Sequence, residues 1–478
     1  MNRRAFLSNS ILTAGALASL SDFEAFSQND RDQTAHLTMR TDSPLRTIAP
    51  DFIGLGYEIS SVARPGLMAG ANRVYVQLLR TLSERGVVRV GGNTSDYAHY
   101  SPTGPAVSSP LATVVNDAVL GDLGGFLDAS GWKLIWGLNL GTGTEANAIA
   151  EARSVLAAAG KRLLAFEIGN EPDLFVYAQL RKPGYGYADW LAEYRRYKAA
   201  LRENFPGIPF AGPDVFGSTD WVTRFAADEG QDAVLLTHHY YREAQNPTST
   251  VEKLLGTDPN LQPQLAQLNA ASESSGVPYR ICEVNSFSGG GRPGVSDTMA
   301  SALWVLDYMF TLAANGCCGV NVETGVNQLN FISSYSPIGD DEQGHDVAKP
   351  EYFGMLAFSL AGKGQMLNLD LETSSPAIKA YATRPNAKAI VLTLINKGSR
   401  SLSFLATASD QMHSGRASVL RLEGPAIDAT TGITLGGAEV SAAGTWRPTK
   451  LERIPIRDHR LRVELGPASA AIVQVELR

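Results

Sequence analysis

Short apolar runs alternate through most of this chain with longer stretches whose apolar positions recur at three- and four-residue spacing. The runs Phe52 to Ile59, Gly86 to Val90, Lys133 to Leu138, Leu163 to Ile168, Pro209 to Ala211, Ala233 to His238, Tyr279 to Glu283 and Gly319 to Val322 read as buried parallel strands. Between them Arg73 to Arg85, Glu145 to Ala159, Ala188 to Asn204, Asp220 to Asp228 and Asp297 to Ala314 read as amphipathic helices, and Pro350 to Ala361 as a closing one. The stripe Trp190, Leu191, Tyr194, Tyr197, Ala200 and Leu201 shows the helical period. Eight such alternations within residues 50–362 predict an α/β fold built as a (β/α)8 TIM barrel rather than an open doubly wound sheet.

After Gly362 the texture changes. Lys379 to Arg384, Lys388 to Lys397, Ala417 to Leu422 and Ala470 to Leu477 are short alternating or β-branched runs divided by Gly, Ser, Asn and Pro. Residues 363–478 therefore read as a C-terminal antiparallel β-sandwich domain, which the early run 36–48 is placed to join. Residues 1–28 read as an export signal: Arg3-Arg4-Ala5-Phe6-Leu7 precedes a short Ala- and Gly-rich apolar stretch, in the manner of a twin-arginine leader. A periplasmic or secreted protein with no membrane span in its mature form is expected. The 478 residues carry a net charge of −7 without a basic block, which argues against nucleic acid as a partner. Cys282, Cys317 and Cys318 fall in or beside apolar runs and read as buried thiols.

Chemistry concentrates where strands end. Leu163 to Ile168 stops at Gly169-Asn-Glu-Pro172, which puts Asn170 and Glu171 at a barrel mouth. Tyr279 to Glu283 carries a second glutamate roughly 110 residues on, the length of about three strand-helix units, so the two carboxyls can face each other across the mouth. Glycoside hydrolysis needs such a pair, one to protonate the leaving oxygen and one to attack the anomeric carbon or activate water. Glu58, the stretch Gly91 to Asp96, His238 to Tyr241 and the run Ser288-Gly-Gly-Gly-Arg292 follow other strands. Structural alternatives exist for each: Glu58, Asp96 and Glu171 as helix caps, His238 as a core histidine, Gly289 to Gly291 as a flexible loop. Polar groups at this density suit a carbohydrate. A metal centre is disfavoured because adjacent His238 and His239 should point to opposite sides of a strand, and Cys282 should point away from the mouth if Glu283 points into it. No cofactor is called for.

These stretches resemble a known family. Gly169-Asn-Glu-Pro172 is similar to the acid/base motif of the clan of retaining (β/α)8 glycosidases. Val90-Gly-Gly-Asn93, His238-His-Tyr-Tyr241, and Glu283 followed by Gly289 to Gly291 and Ser296-Asp-Thr298 resemble glycoside hydrolase family 79, the β-glucuronidase and heparanase family. The resemblance spans the barrel and the trailing sandwich. It implies a retaining exo-β-glucuronidase with Glu171 as acid/base and Glu283 as nucleophile. Asn170 would hold the 2-hydroxyl and Glu58 and Asp96 other hydroxyls, with His239 and Tyr241 beside the nucleophile. The amides of Gly289 and Gly290 would take the uronate carboxylate. The family's tyrosine before the glycine run is Ser288 here, which makes Tyr335 the candidate replacement phenol. A neutral sugar, internal cleavage of an acidic glycosaminoglycan, and a non-enzymatic carbohydrate-binding protein are the alternatives.

Overall fold

The computed structural model describes residues 33–325, 333–341, 344–408 and 415–477. The export-signal expectation for residues 1–28 lies outside them. The first element, β1 (Gln33–Thr47), precedes a closed barrel of eight parallel strands among the described residues. These are β2 (Gly54–Glu58), β3 (Val87–Gly91), β4 (Lys133–Leu138), β5 (Leu163–Ile168), β6 (Phe210–Val215), β7 (Ala233–Tyr241), β8 (Tyr279–Asn285) and β9 (Val320–Glu323). Each pairs with its sequence neighbours, and β9 closes onto β2. A helix follows every strand: α1 (Arg73–Leu82), α2 (Asp117–Ser130), α3 (Glu145–Ala159), α4 (Tyr187–Asn204), α5 (Thr219–Glu229), α6 (Leu261–Ser275), α7 (Met299–Ala314) and α8 (Pro350–Ala361).

The helices begin and end where local chemistry directs. Asn116 and Thr144 accept the third backbone N–H of α2 and α3, and Gly131 ends α2 in the left-handed region at φ 82°. On α4 the buried face is Tyr187, Trp190, Leu191, Tyr194, Tyr197 and Leu201. Two strands run past their apolar runs. β6 continues through Gly212-Pro-Asp214 and β7 through Tyr241, because β6 stays paired there to β7, and β7 to β8, which outweighs the turn preference of Gly-Pro.

Inside the barrel, polar and apolar layers alternate. At the bottom Arg280 donates to the Asn321 side chain (2.6 Å) and to the carbonyls of Asp51, Phe52 and Val320. Gly54 and Gly319 leave the space that its guanidinium fills. Asn321 in turn donates to Leu55 O and Val87 O. Above lies an apolar layer with one residue from each of six strands: Val87, Ile135, Ala165, Ala211, Leu235 and Cys282. Strict alternation would point Cys282 away from the side that Glu283 faces. The register slips between Ile281 and Glu283 against β7 and between Ile281 and Val284 against β9, so both side chains lie within the barrel, the thiol a layer beneath the carboxylate.

The remaining large sheet also closes. Among the described residues nine strands form the ring: β1, Gln365–Glu372, Ile378–Asn386, Ala389–Asn396, Ser469–Glu476, Gly415–Glu423, Glu452–Arg457, Arg460–Leu465 and Leu402–Ala408. Only the pairing of β1 with Leu402–Ala408 is parallel. This sheet is docked on α7, where Tyr381 stacks on Phe310 at 4.7 Å and Lys397 pairs with Asp307 at 2.8 Å.

Replacing Arg280 with Met should leave several buried carbonyls and Asn321 without their donor. A loss of about 3 kcal/mol or more in urea unfolding is expected, since each buried unsatisfied group costs about 1–3 kcal/mol. A loss below about 1 kcal/mol would show that the bottom layer is not held this way.

Candidate active site

The strand ends bring one cation into contact with four acceptors. Arg89, fully buried on β3, donates from Nε to Glu167 (3.0 Å), from Nη1 to Glu283 (2.8 Å), and from Nη2 to Asn170 (2.8 Å) and Asp214 (2.5 Å). Its rigid fork thereby ties β3 to β5, β6 and β8. Gly91 is required beneath it, since a Cβ there would meet the guanidinium carbon at 2.7 Å. Burial opposes the charge on Arg89, but Asp214, Glu167 and Glu283 hold it firmly protonated.

Glu171 and Glu283 face each other above this layer. One oxygen from each, together with a ring nitrogen of His239, lie within 4.8 Å of one another. Glu171 sits in the left-handed region (φ 49°, ψ 51°), and its side chain makes no capping bond to the turn that follows. The Glu171 amide instead donates to Asp214 O at 2.8 Å, which turns the side chain into the mouth. Burial, opposed by the hydrogen bond to His239 and reinforced by the Glu283 charge, raises the Glu171 pKa. Glu283 accepts from the Tyr241 hydroxyl at 2.8 Å as well as from Arg89.

The other expected residues fall around this pair. Asn170 is buried, with its amide on Asp96 (3.0 Å) and its side-chain oxygen on Arg89. Asp96 also accepts from Leu140 N and Gly141 N, knitting three strand ends together. Glu58 accepts from the amides of Asn93 (3.1 Å) and Thr94 (2.7 Å), so it does cap a helical turn while its remaining lone pairs stay at the mouth. His239 has both ring nitrogens engaged, on Glu171 (3.0 Å) and Asp214 (2.7 Å), which leaves none for a sugar hydroxyl. Its place is beneath the glutamates. Tyr335 stacks on Tyr241 at 6.2 Å, and the Phe216 ring, tilted, lies at the same distance from Tyr241.

Gly289, Gly290 and Gly291 hold φ of 79°, 92° and 80°, a backbone that favours glycine. The Gly290 carbonyl takes both N–H and hydroxyl of Ser334, which binds this run to the segment carrying Tyr335. The amides of Gly289 and Gly290 donate to no group among the described residues. Ser288 is half-buried, its own N–H on Glu243 O.

Sequence patterns did not flag Arg89, Glu167, Asp214 or Glu323. Glu323 ends β9, one residue past the predicted run. Burial and the Glu283 and Glu58 carboxylates push its pKa well up. A carboxylate at the eighth strand end was the available signal; a charge inside Val87-Val-Arg-Val was another.

A metal ion could use the spacing of Glu171, His239 and Glu283, but the donors do not fit one. Both imidazole nitrogens already meet carboxylates, and the Arg89 guanidinium and Tyr241 hydroxyl occupy Glu283. The arrangement suits proton donation by one carboxyl and nucleophilic attack by the other.

No protein-family model matches the chain. A β-glucuronidase of Aspergillus niger is 26% identical over 489 aligned residues, covering 89% of this chain and 88% of its own length. One of Neurospora crassa is 24% identical over 365, covering 65% and 64%. Among solved structures, a 4-O-α-L-rhamnosyl-β-D-glucuronidase of Fusarium oxysporum superposes with TM-score 0.75 at 19% identity, over 92% of this chain and 100% of that one. An α-L-arabinofuranosidase of Thermotoga maritima gives 0.70 at 14% identity, over 93% and 100%. At these identities the structural matches speak for a shared fold.

Buried carboxyls give a pH signature. Glu58, Asp96, Glu167 and the α3 residue Glu151 are each pushed up to about 7, chiefly by burial. A folded pKa above the unfolded one means the folded state holds protons more tightly, so the stabilisation is complete below about pH 4 and is lost as pH rises through about 7. His238, pushed down to about 3 by burial, acts in the opposite sense up to about pH 6.5. Four groups outweigh one. Urea unfolding should show stability falling between about pH 5 and 8, on the order of 1 kcal/mol per pH unit for each net proton released, and a rising profile would contradict these burials.

Proposed function

We propose that this glycoside hydrolase is a retaining exo-β-glucuronidase of the family 79 type, in which Glu171 is the acid/base and Glu283 the nucleophile. The observation that carries the reading is the approach of the two carboxyls, with an oxygen of each within 4.8 Å. Retaining enzymes keep the pair about 5–5.5 Å apart, whereas inverting ones leave about 6.5–9.5 Å for a water. The raised Glu171 pKa suits a group that must begin protonated, and the Arg89 and Tyr241 donors suit a Glu283 that must begin ionised. Two β-glucuronidases similar over most or much of their length support the sugar assignment.

In the first step Glu171 gives its proton to the leaving oxygen as Glu283 bonds to the anomeric carbon. In the second, water attacks that carbon, Glu171 takes the water's proton, and Glu283 leaves. Asn170, held by Arg89 and Asp96, faces the 2-hydroxyl, while Glu58 and Asp96 meet hydroxyls of the terminal sugar. The uronate carboxylate is received by the amides of Gly289 and Gly290, with the Tyr335 phenol replacing the hydroxyl that Ser288 cannot extend. The twin-arginine-like start is read as the route to the periplasm or beyond, which cell fractionation tests.

Proton NMR of fresh hydrolysate tests the mechanism: the β-anomer should appear first, and initial α-product would refute double displacement. With Glu171→Gln, kcat/KM for poor leaving groups should fall by about 10²–10⁴ while activated aryl glycosides lose far less. Equal losses would remove its role as acid. Aryl β-glucuronide should be preferred over aryl β-glucoside by about 10² or more, since the glucoside leaves charge-seeking donors unpaired. Comparable turnover would refute the uronate while sparing the two-glutamate mechanism.

A further inference from the structure

The double displacement asks for two carboxyls, yet a third acid and an imidazole are built beneath them. Asp214, on β6, is buried and lies in the left-handed region at φ 60°. Its carbonyl accepts the Glu171 amide, its own amide donates to the Thr237 hydroxyl, and its carboxylate takes Arg89 Nη2 and His239 Nε2. The other nitrogen of His239, Nδ1, lies 3.0 Å from Glu171 Oε1 and 3.8 Å from Glu283 Oε2. The ring therefore stands between the two glutamates with its far side fixed on an anion.

We propose that Asp214 and His239 are a charge-holding pair of positioning residues, in which Asp214 keeps the ring an imidazolium whose Nδ1–H serves whichever glutamate is ionised. This rests on the retaining reading. In the free enzyme the negative charge is on Glu283 and the proton on Glu171. When the Glu283–carbon bond forms and the bond to the leaving oxygen breaks, Glu283 becomes a neutral ester, the leaving oxygen carries off the Glu171 proton, and Glu171 becomes the anion. Water then restores both, its proton going to Glu171 and the ester electrons returning to Glu283. The charge thus moves from one side of His239 to the other and back. A cation within reach of both stabilises each stage, and the summed charge of the set stays constant.

The charged surroundings agree. Arg89 from β3, 3.5 Å away, opposes a charge on His239, but the carboxylates of Glu171 from the β5 end, Asp214 from β6 and Glu283 from β8 surround it. Asp173 and Glu323 act on it from farther away, as does its neutral neighbour His238, and Glu167 faces it across Arg89. Burial works against the charged ring, but the carboxylates of Asp214 and Glu283 and the bonds to Asp214 and Glu171 hold its pKa well above the usual imidazole range. Asp214 itself is held well below the usual carboxylate range by Arg89 and His239 despite its burial.

Asp214→Asn tests the pair through the pH profile of kcat/KM on an aryl glycoside. Loss of the cation removes support from the ionised carboxylate at each stage, so the acid limb and the alkaline limb should both move to higher pH by about one unit or more. His239→Gln, which keeps an amide donor without charge, should move them the same way. A lower kcat with unmoved limbs, in variants whose melting curves match the parent, would reduce the pair to a structural role and overturn the proposal. A third arm needs no variant. At about pH 9 an ordinary histidine is neutral, so an imidazolium persisting among the seven histidines in nitrogen-15 spectra of the intact enzyme is the expected result, and its absence the refuting one. Retained product with no imidazolium refutes this pair alone; inverted product with the imidazolium present refutes the double displacement instead.

Discussion

The site depends on one buried guanidinium. Arg89 has no exposed surface, and its donors reach Glu167, Glu283, Asn170 and Asp214 from three other strands. A charge taken out of water is tolerated only when its partners are close and its donors are filled, and removing one partner of such a set typically costs about 3–5 kcal/mol. The constraint acts in both directions. The acids need Arg89 to remain ionised in a barrel interior, and Arg89 needs them to remain buried. The carboxyl of Glu283 is thus fixed by electrostatics before any substrate arrives, as the nucleophile role proposed for it requires.

The glycines at this end follow from the same packing. Gly91 leaves room for the guanidinium, and Gly92, at φ 70°, leaves room for the Glu58 carboxyl, with which a Cβ would collide. Val90-Gly-Gly-Asn93 is therefore a statement about two side chains lying over a bare backbone. Once the backbone turns there, Asn93 and Thr94 point their amides at Glu58, and Asp96 reaches the amides of Leu140, Gly141 and Asn170. One loop thus holds acids contributed by or facing three strands.

What was legible in the sequence, and what was not, divides along physical lines. The barrel strands were legible because burial on both faces makes them continuous apolar runs, and Glu171 and Glu283 because each breaks such a run at its end. Arg89 was hidden inside a run, where one charge among valines reads as strand rather than as chemistry. Asp214 was hidden behind Gly212-Pro213, a pair that suggests a turn although β6 continues through it. Glu323 lay one residue past an expected boundary. Helix α2 carries Gly121, Gly124 and Gly125, and α6 is rich in Gln, Asn and Ser, so neither shows a strong stripe. The face occupied by Cys282 depended on a register slip in β8, which alternation along one strand does not reveal.

The balance of charge at the mouth bears on the sugar. Glu58, Asp96 and Glu323 crowd the same opening as Glu171 and Glu283, while the two cations, Arg89 and His239, lie below and are already engaged. A uronate entering such a ring would be repelled if all five acids were ionised. Burial answers this, for Glu58 and Asp96 are pushed up to about 7 and Glu323 well above its usual range, so near neutrality much of the ring is uncharged. A protonated carboxyl can also donate to a sugar hydroxyl as well as accept from one. Under the proposed glucuronidase reading, the substrate's own charge is left to neutral donors, the Gly289 and Gly290 amides and the Tyr335 phenol. Under the glucuronidase reading no free cation is needed there: partial dipoles fixed by a glycine backbone hold an anion without competing for the carboxylates that do the chemistry.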